Sequence, residues 1–439
     1  MRGLTSTIIG AVVLAGLVGY IYFYEWDKPA ASTEEEKEKA FAALQADNIE
    51  ELQIKAASGE TSHLRKGASG WELVEPVKVE ADASEASSVT SNLGSLEIQR
   101  VVEENPRDLA QYGLNPPRVD VAFRVKDEKE FRRLLVGEKT PTGGDLYAKL
   151  PNDNKVFLIS SFLDNTFNRT PFDLRDKTIL EFDREKVESI EIGTGKETVV
   201  LTKSGTEWKV SKPFAARGDY GAIEGLLTRL SSGQMQRIVD AENKDPKVFG
   251  LDRPSLTATV ASSDGRKTLA FGSTEAGSVY ARDLSRPIIF AVEESLVTDV
   301  RKGAADFRRK DVFDFRSFNA TRVEVHRGPE TLTFEKTKDK DGKEIWTSGA
   351  GQAADTAKVE DFLTKLSNLR AQSFEPVQPA ALKFPEVTVS VRFEQDKTES
   401  VSLGRSGADV FAARADEPGA AKLETTPYED AIKALDALR

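Results

Sequence analysis

The chain has 439 residues, too many for one hydrophobic core, so two to four domains are expected. Its net charge of −11 argues against nucleic acid as a partner, because neutralising phosphates needs concentrated Lys and Arg and no basic face is evident. Cysteine is absent, which excludes disulfides, thiolate zinc sites, iron–sulfur clusters, a cysteine nucleophile and a lipidated cysteine.

Leu4 to Tyr24 carries no charge, and a helix of that length crosses the hydrocarbon core of a bilayer. Tyr20, Tyr22, Tyr24 and Trp26 suit an interfacial aromatic belt, which favours an uncleaved anchor over a cleaved signal peptide. Arg2 precedes the stretch while Glu25 and Asp27 follow it, so the positive-inside rule places the N-terminus in the cytoplasm and the bulk of the chain outside it. Residues 1–26 are therefore read as a cytoplasmic tip and transmembrane anchor, and the charged 27–47 as a juxtamembrane spacer. Thr7, Ala11, Ala15 and Gly19 recur every fourth residue, a small-residue face on which a partner helix can pack closely. The plainer reading is that small residues are common in membrane spans.

Beyond the spacer the chain repeats itself. Trp71, Trp208 and Trp346 begin equivalent stretches, and Asp82, Asp219 and Asp355 follow each at a similar distance. After each Asp the apolar residues fall at helical spacing: Ala86, Val89, Leu93 and Leu96, then Ile223, Leu226 and Leu230, then Val359, Phe362, Leu366 and Leu369. An Asp at that point can cap exposed N–H groups, so three equivalent amphipathic helices are predicted. An aromatic-Gly-Leu turn follows twice, as Tyr112-Gly113-Leu114 with Pro116 and Pro117 and as Phe249-Gly250-Leu251 with Pro254, delivering the chain into a strand. Period-two alternation opens each copy and recurs downstream. The expected organisation is α+β: a single N-terminal transmembrane helix followed by three repeated, mainly antiparallel sheet-plus-helix domains at 48–182, 183–319 and 320–439.

Candidate chemistry is sparse. His63 and His326 align with Val200 and Gly193 in a sister copy, which makes a metal centre or histidine-based triad improbable. Asp339, Asp341 and Gly342 imitate the start of a calcium loop, but the closing Glu is missing and the flanks read as hairpin strands. Phosphate-binding glycine patterns are absent. The densest shared charge lies where copies join, with Asp173, Arg175 and Lys177 matched by Asp306, Arg308 and Lys310. These residues suit an anion or partner site at each junction or, in the preferred reading, a salt-bridged inter-domain hinge whose role is geometric.

The turn motifs and the Trp71 and Trp208 strands together resemble the bacterial family catalogued as domain of unknown function 4340, a resemblance that covers the chain from the N-terminal anchor to the last helix. In the third copy "ALKFPEVTV" replaces the aromatic-Gly-Leu turn. The resemblance implies a single-pass envelope protein of the inner membrane, its bulk periplasmic or extracytoplasmic, often encoded beside ABC transporters of the gliding-motility auxiliary type. The expected function is a non-enzymatic scaffold or accessory subunit that contacts an ABC permease or other envelope protein, without catalytic residues, metal or cofactor. The alternative is a periplasmic module that binds a glycan, lipid or other polymer.

Overall fold

Alternation of apolar and polar residues becomes three antiparallel sheets, each with one face against a helix. The structure is a computed structural model that describes residues 38–439. In the second sheet the strands Ala216–Arg217, Glu207–Lys212, Thr198–Ser204 and Val187–Gly193 run edge to centre, followed by Leu256–Ser262, Gly265–Glu275, Ser278–Asp283, Ile289–Glu293 and finally Arg237–Asp240. The chain thus meanders outward, crosses back over a helix, lays its next strand at the far edge and returns to the centre. The first sheet has the same order from Val79–Glu80 to Arg100–Glu103. The third has it too, except that the short edge strand is reduced to a single bridge between Thr347 and Ala353.

Among the described residues are seven α-helices: α1 (Ala83–Gly94), α2 (Asp164–Phe167), α3 (Pro171–Leu174), α4 (Tyr220–Ser232), α5 (Glu294–Val300), α6 (Thr356–Ser367) and α7 (Thr425–Asp436). The helices α1, α4 and α6 lie where the spacing places them. Asp82 accepts from Ser84 and Glu85 N–H, Asp219 from Ala222 and Asp355 from Ala357 and Lys358, each satisfying groups that the first turn leaves open. Ala86, Val89, Leu93, Ile223, Leu230, Val359 and Leu369 have no exposed surface, and Trp71, Trp208 and Trp346 are buried beside them.

The expectation of an α+β fold led by a transmembrane helix is corrected. Among the described residues antiparallel sheet dominates, with strands numbering 26 and one long helix crossing each meander, because alternation fills nearly every segment between the turns. No helix among the described residues is long and apolar enough to cross a membrane, and Leu4–Tyr24 lies outside them.

Both aromatic-Gly-Leu motifs form tight turns ending on a left-handed glycine, a one-turn 3₁₀ segment (Ala110–Tyr112) before Gly113, φ 66°, and a hydrogen-bonded turn closed by Gly250 N–H on Lys247 C=O before Gly250, φ 69°. The turn presses on a strand glycine: a Cβ on Gly137 would stand 2.0 Å from the Tyr112 carbonyl oxygen, and one on Gly272 the same distance from that of Phe249. Ring contacts of 4.9 Å between Tyr112 and Tyr147 and 5.0 Å between Phe249 and Tyr280 complete the packing. The motif is a structural clasp between turn and strand.

By contacts the chain divides into two compact units between Asp176 and Lys177. The first holds the first sheet, and the second holds the other two.

Candidate functional site

Within the second unit, the segment joining the two sheets runs as a strap. Asp306 closes a turn by accepting the Gly303 N–H at 2.9 Å, and Phe307 beyond it is wholly buried. The strap then pairs with the edge of the second sheet, Asp219 N–H donating to Phe307 C=O (2.7 Å) and Arg309 N–H to Arg217 C=O (2.9 Å). From the next residue on it pairs with the third repeat, Ala371 N–H donating to Lys310 C=O (2.8 Å) and Val312 N–H to Leu369 C=O (3.0 Å). Main-chain bonds on both sides fix its course.

Its side chains enter a buried ion network. Arg308, 5% exposed, lies 4.2 Å from the Phe374 ring centroid and donates Nε and Nη2 to Glu417 Oε2 at 3.1 and 2.7 Å. The other oxygen of Glu417 accepts from Arg217 twice, from the backbone N–H at 3.0 Å and from Nε at 2.6 Å. Arg217 goes on to Asp314 at 2.6 Å and to the Asp311 carbonyl at 2.8 Å. Arg414, also buried, donates to the Val312 carbonyl, to Glu399 and in bidentate fashion to Asp416. Glu399 in turn accepts the N–H groups of Asp314 and Phe315. Every buried charge here faces an opposite charge or a backbone dipole, as a low-dielectric site demands.

The titration of these groups follows. Burial alone would raise the Glu417 carboxyl, but the Arg217 charge and the hydrogen bonds from Arg217 and Arg308 outweigh it and hold it below the usual carboxylate range. Asp416 is lowered in the same way, its burial outweighed by Arg414. Arg414 is raised: burial opposes its charge, and Asp416, Glu399 and Asp314 more than restore it.

An open cleft of about 740 Å³ borders the network, lined among others by Trp208, Lys209, Tyr220, Arg309, Lys310 and Arg370. Tyr220 is 61% exposed on its wall. Arg309 and Arg370 are engaged by Asp314 and Asp311, whereas Lys209 and Lys310 make no ion pair among the described residues.

Of the residues singled out in the sequence, Asp306 shapes the turn, Arg308 enters the network and Lys310 points to the cleft. At the earlier junction Asp173 plays the part of Asp306, accepting from Thr170 N–H and hydroxyl at 2.8 and 2.7 Å. Arg175 bridges Ala81 in the first unit, and the Lys177 carbonyl accepts the Met235 N–H in the second. Thr7, Ala11, Ala15 and Gly19 lie outside the described residues. Arg217, Glu417, Glu399 and Arg414 escaped the sequence reading, although a register comparison displays them: Arg217 stands where the first copy has Glu80, and Glu417 where the second has Arg286.

His63 lies 3.3 Å from Glu51, and His326 is held by Thr331 and Glu324. Asp339 accepts the N–H groups of Asp341 and Lys343 inside its own hairpin turn. Among the described residues no group of three His, Cys, Asp or Glu is placed to hold a metal ion.

No curated protein matches the sequence. Among solved structures, a DNA polymerase sliding clamp from Pseudomonas aeruginosa aligns at 9% identity over 89% of this chain and 93% of that one, with a TM-score of 0.14. The DNA polymerase III subunit beta of the same organism aligns at 8% over 70% and 85%, also at 0.14. Superposition this loose carries no argument. The family model described as domain of unknown function DUF4340 matches residues 71–220 and again 208–386, beginning each time at an equivalent tryptophan and taking in one aromatic-Gly-Leu turn. With more than half its length so matched, the chain belongs to the DUF4340 family.

Proposed function

We propose that the protein is a non-enzymatic scaffold or accessory subunit, extracytoplasmic and associated with the bacterial inner membrane, working with an ABC-transporter-linked envelope system. The observation that carries this reading is the inward-turned charge around Glu417. Arg217, Arg308 and Arg414 are matched by Glu417, Asp314, Glu399 and Asp416 across two sheets, which suits a rigid spacer holding two modules at a set angle. The uncharged Leu4–Tyr24 stretch supports the membrane association, and the neighbours expected of the family supply the transporter context. Cross-linking the full chain in cells, followed by detergent purification, should recover an ABC permease subunit. Recovery of no transporter subunit under conditions that cross-link known envelope complexes would overturn the proposal.

A second reading, a module for a glycan, lipid or other polymer, is favoured by the cleft, which an exposed Tyr220 lines together with Lys209 and Lys310, neither in an ion pair among the described residues. On that reading a glycan or lipid co-purifies with the chain and Tyr220→Ala abolishes its retention.

A further inference from the structure

The three repeats treat one sheet edge differently. In the first, Ala81 N–H pairs with Trp71 C=O, and the next chain segment closes the edge outside it: Asp82 N–H donates to Leu174 C=O (2.9 Å) and Asp176 N–H to Glu80 C=O (2.9 Å). The second repeats this bond for bond, with Gly218 to Trp208 inside and the Phe307 and Arg309 bonds outside. In the third, the inner bond is present, Ala354 N–H to Trp346 C=O at 2.9 Å. The outer pair, Asp355 N–H and Ala353 C=O, has no hydrogen-bond partner among the described residues, and both residues are exposed. The residues after α7 do not cover it, for Leu438 packs on the third core and Arg439 pairs with Glu330.

An edge with an open donor and acceptor is a template for another strand. The two covered edges say what fits: Asp173-Leu174-Arg175 and Asp306-Phe307-Arg308, an acid that closes the preceding turn, a large apolar residue with no exposed surface, then an arginine.

We propose that the Ala353–Asp355 edge takes an extended segment of another polypeptide by main-chain pairing, the segment presenting an acid, a large apolar residue and an arginine in succession. This deepens the scaffold reading by naming how a protein partner is held, and rests on it.

The probe is a fluorescein-labelled peptide with the sequence of residues 303–312, titrated against the full chain by anisotropy. It should bind saturably. Methylating the peptide nitrogen equivalent to that of Arg309 removes the bond to Ala353, and Asp355→Pro removes the other; each should weaken binding up to about tenfold, the worth of one good hydrogen bond. Asp355 has φ −67°, which proline accepts, and Asp355→Ala loses the helix cap while keeping the N–H, so it should bind like the unaltered chain. If Asp355→Pro does not fold, the methylated peptide alone decides. No saturable binding, or equal binding of the methylated peptide, overturns the proposal, as does self-association of the chain that the peptide competes away. Loss of peptide binding with permease cross-linking intact refutes the edge and leaves the scaffold reading, and the reverse result does the opposite.

Discussion

Glu417→Ala tests whether the buried network holds the second and third sheets together. The substitution removes a carboxylate that receives N–H groups from Arg217 at 3.0 and 2.6 Å and from Arg308 at 3.1 and 2.7 Å. Arg217 keeps Asp314 and the Asp311 carbonyl, so the group left stranded is Arg308, which retains the Pro418 carbonyl and the Phe374 and Phe214 rings but no opposite charge. At 5% exposure Arg308 cannot recover its hydration in place. Breaking a buried pair from one side costs about 3–5 kcal/mol, whereas replacing both partners by apolar residues is often nearly neutral. Glu417→Ala should therefore lower the unfolding free energy of the second unit by about that amount, and adding Arg308→Met should recover part of the loss. Urea unfolding followed at Trp208 and Trp346 reads the second unit, while Trp71 reads the first as an internal control. A loss under about 1 kcal/mol, or a double variant whose cost is the sum of the singles, would refute the claim that the network stabilises through burial.

Acid should act through the same residue. A carboxyl lowered on folding contributes stability above its unfolded value of roughly 4.3 that disappears as pH falls toward the lower folded value, so the second unit should lose stability below about pH 4.3 and Glu417→Gln should flatten that part of the profile. Gly272→Ala drives a methyl into the Phe249 carbonyl and should cost about 1–3 kcal/mol or more, readable as a lower melting temperature; an unchanged melting temperature would show that the clasp yields freely. Trp208 donates Nε1 to Glu224 at 3.0 Å, whereas the buried Nε1 of Trp346 has no partner, so Trp208→Phe should destabilise more than Trp346→Phe by about 1 kcal/mol in matched urea titrations. Asp219→Ala should cost about 1 kcal/mol through its cap on α4, while Asp219→Asn should cost little.

Much of this was legible because it is local. Asp82, Asp219 and Asp355 cap helices through bonds reaching two or three residues, and the helix stripes obey a fixed period, so spacing alone located them. The Gly113 turn was legible as a turn, but its grip on Gly137 was not, since the two glycines meet only after the strands pair. The class was misjudged because the long helix after each capping Asp gives a strong periodic signal, while short strands give a weak one each and dominate only by number.

The charged junction marks the limit of reading a repeat by what its copies share. Arg308 is matched by Arg175 and was found for that reason. Glu417 is matched by Arg286 and was passed over, although its backbone and side-chain partner Arg217 lies 200 residues earlier. In the second repeat Arg286 donates to the Thr178 and Ile179 carbonyls. In the third, those places in the strap are the carbonyls of Asp311 and Val312, and they are served by Arg217 from the second repeat and Arg414 from the third. With the guanidinium arriving from elsewhere, residue 417 is free to be an acid, and the acid binds Arg217 and Arg308 together. The departure from the repeat thus couples the two sheets, because a pattern common to all copies can build each sheet but cannot by itself distinguish which neighbour it joins.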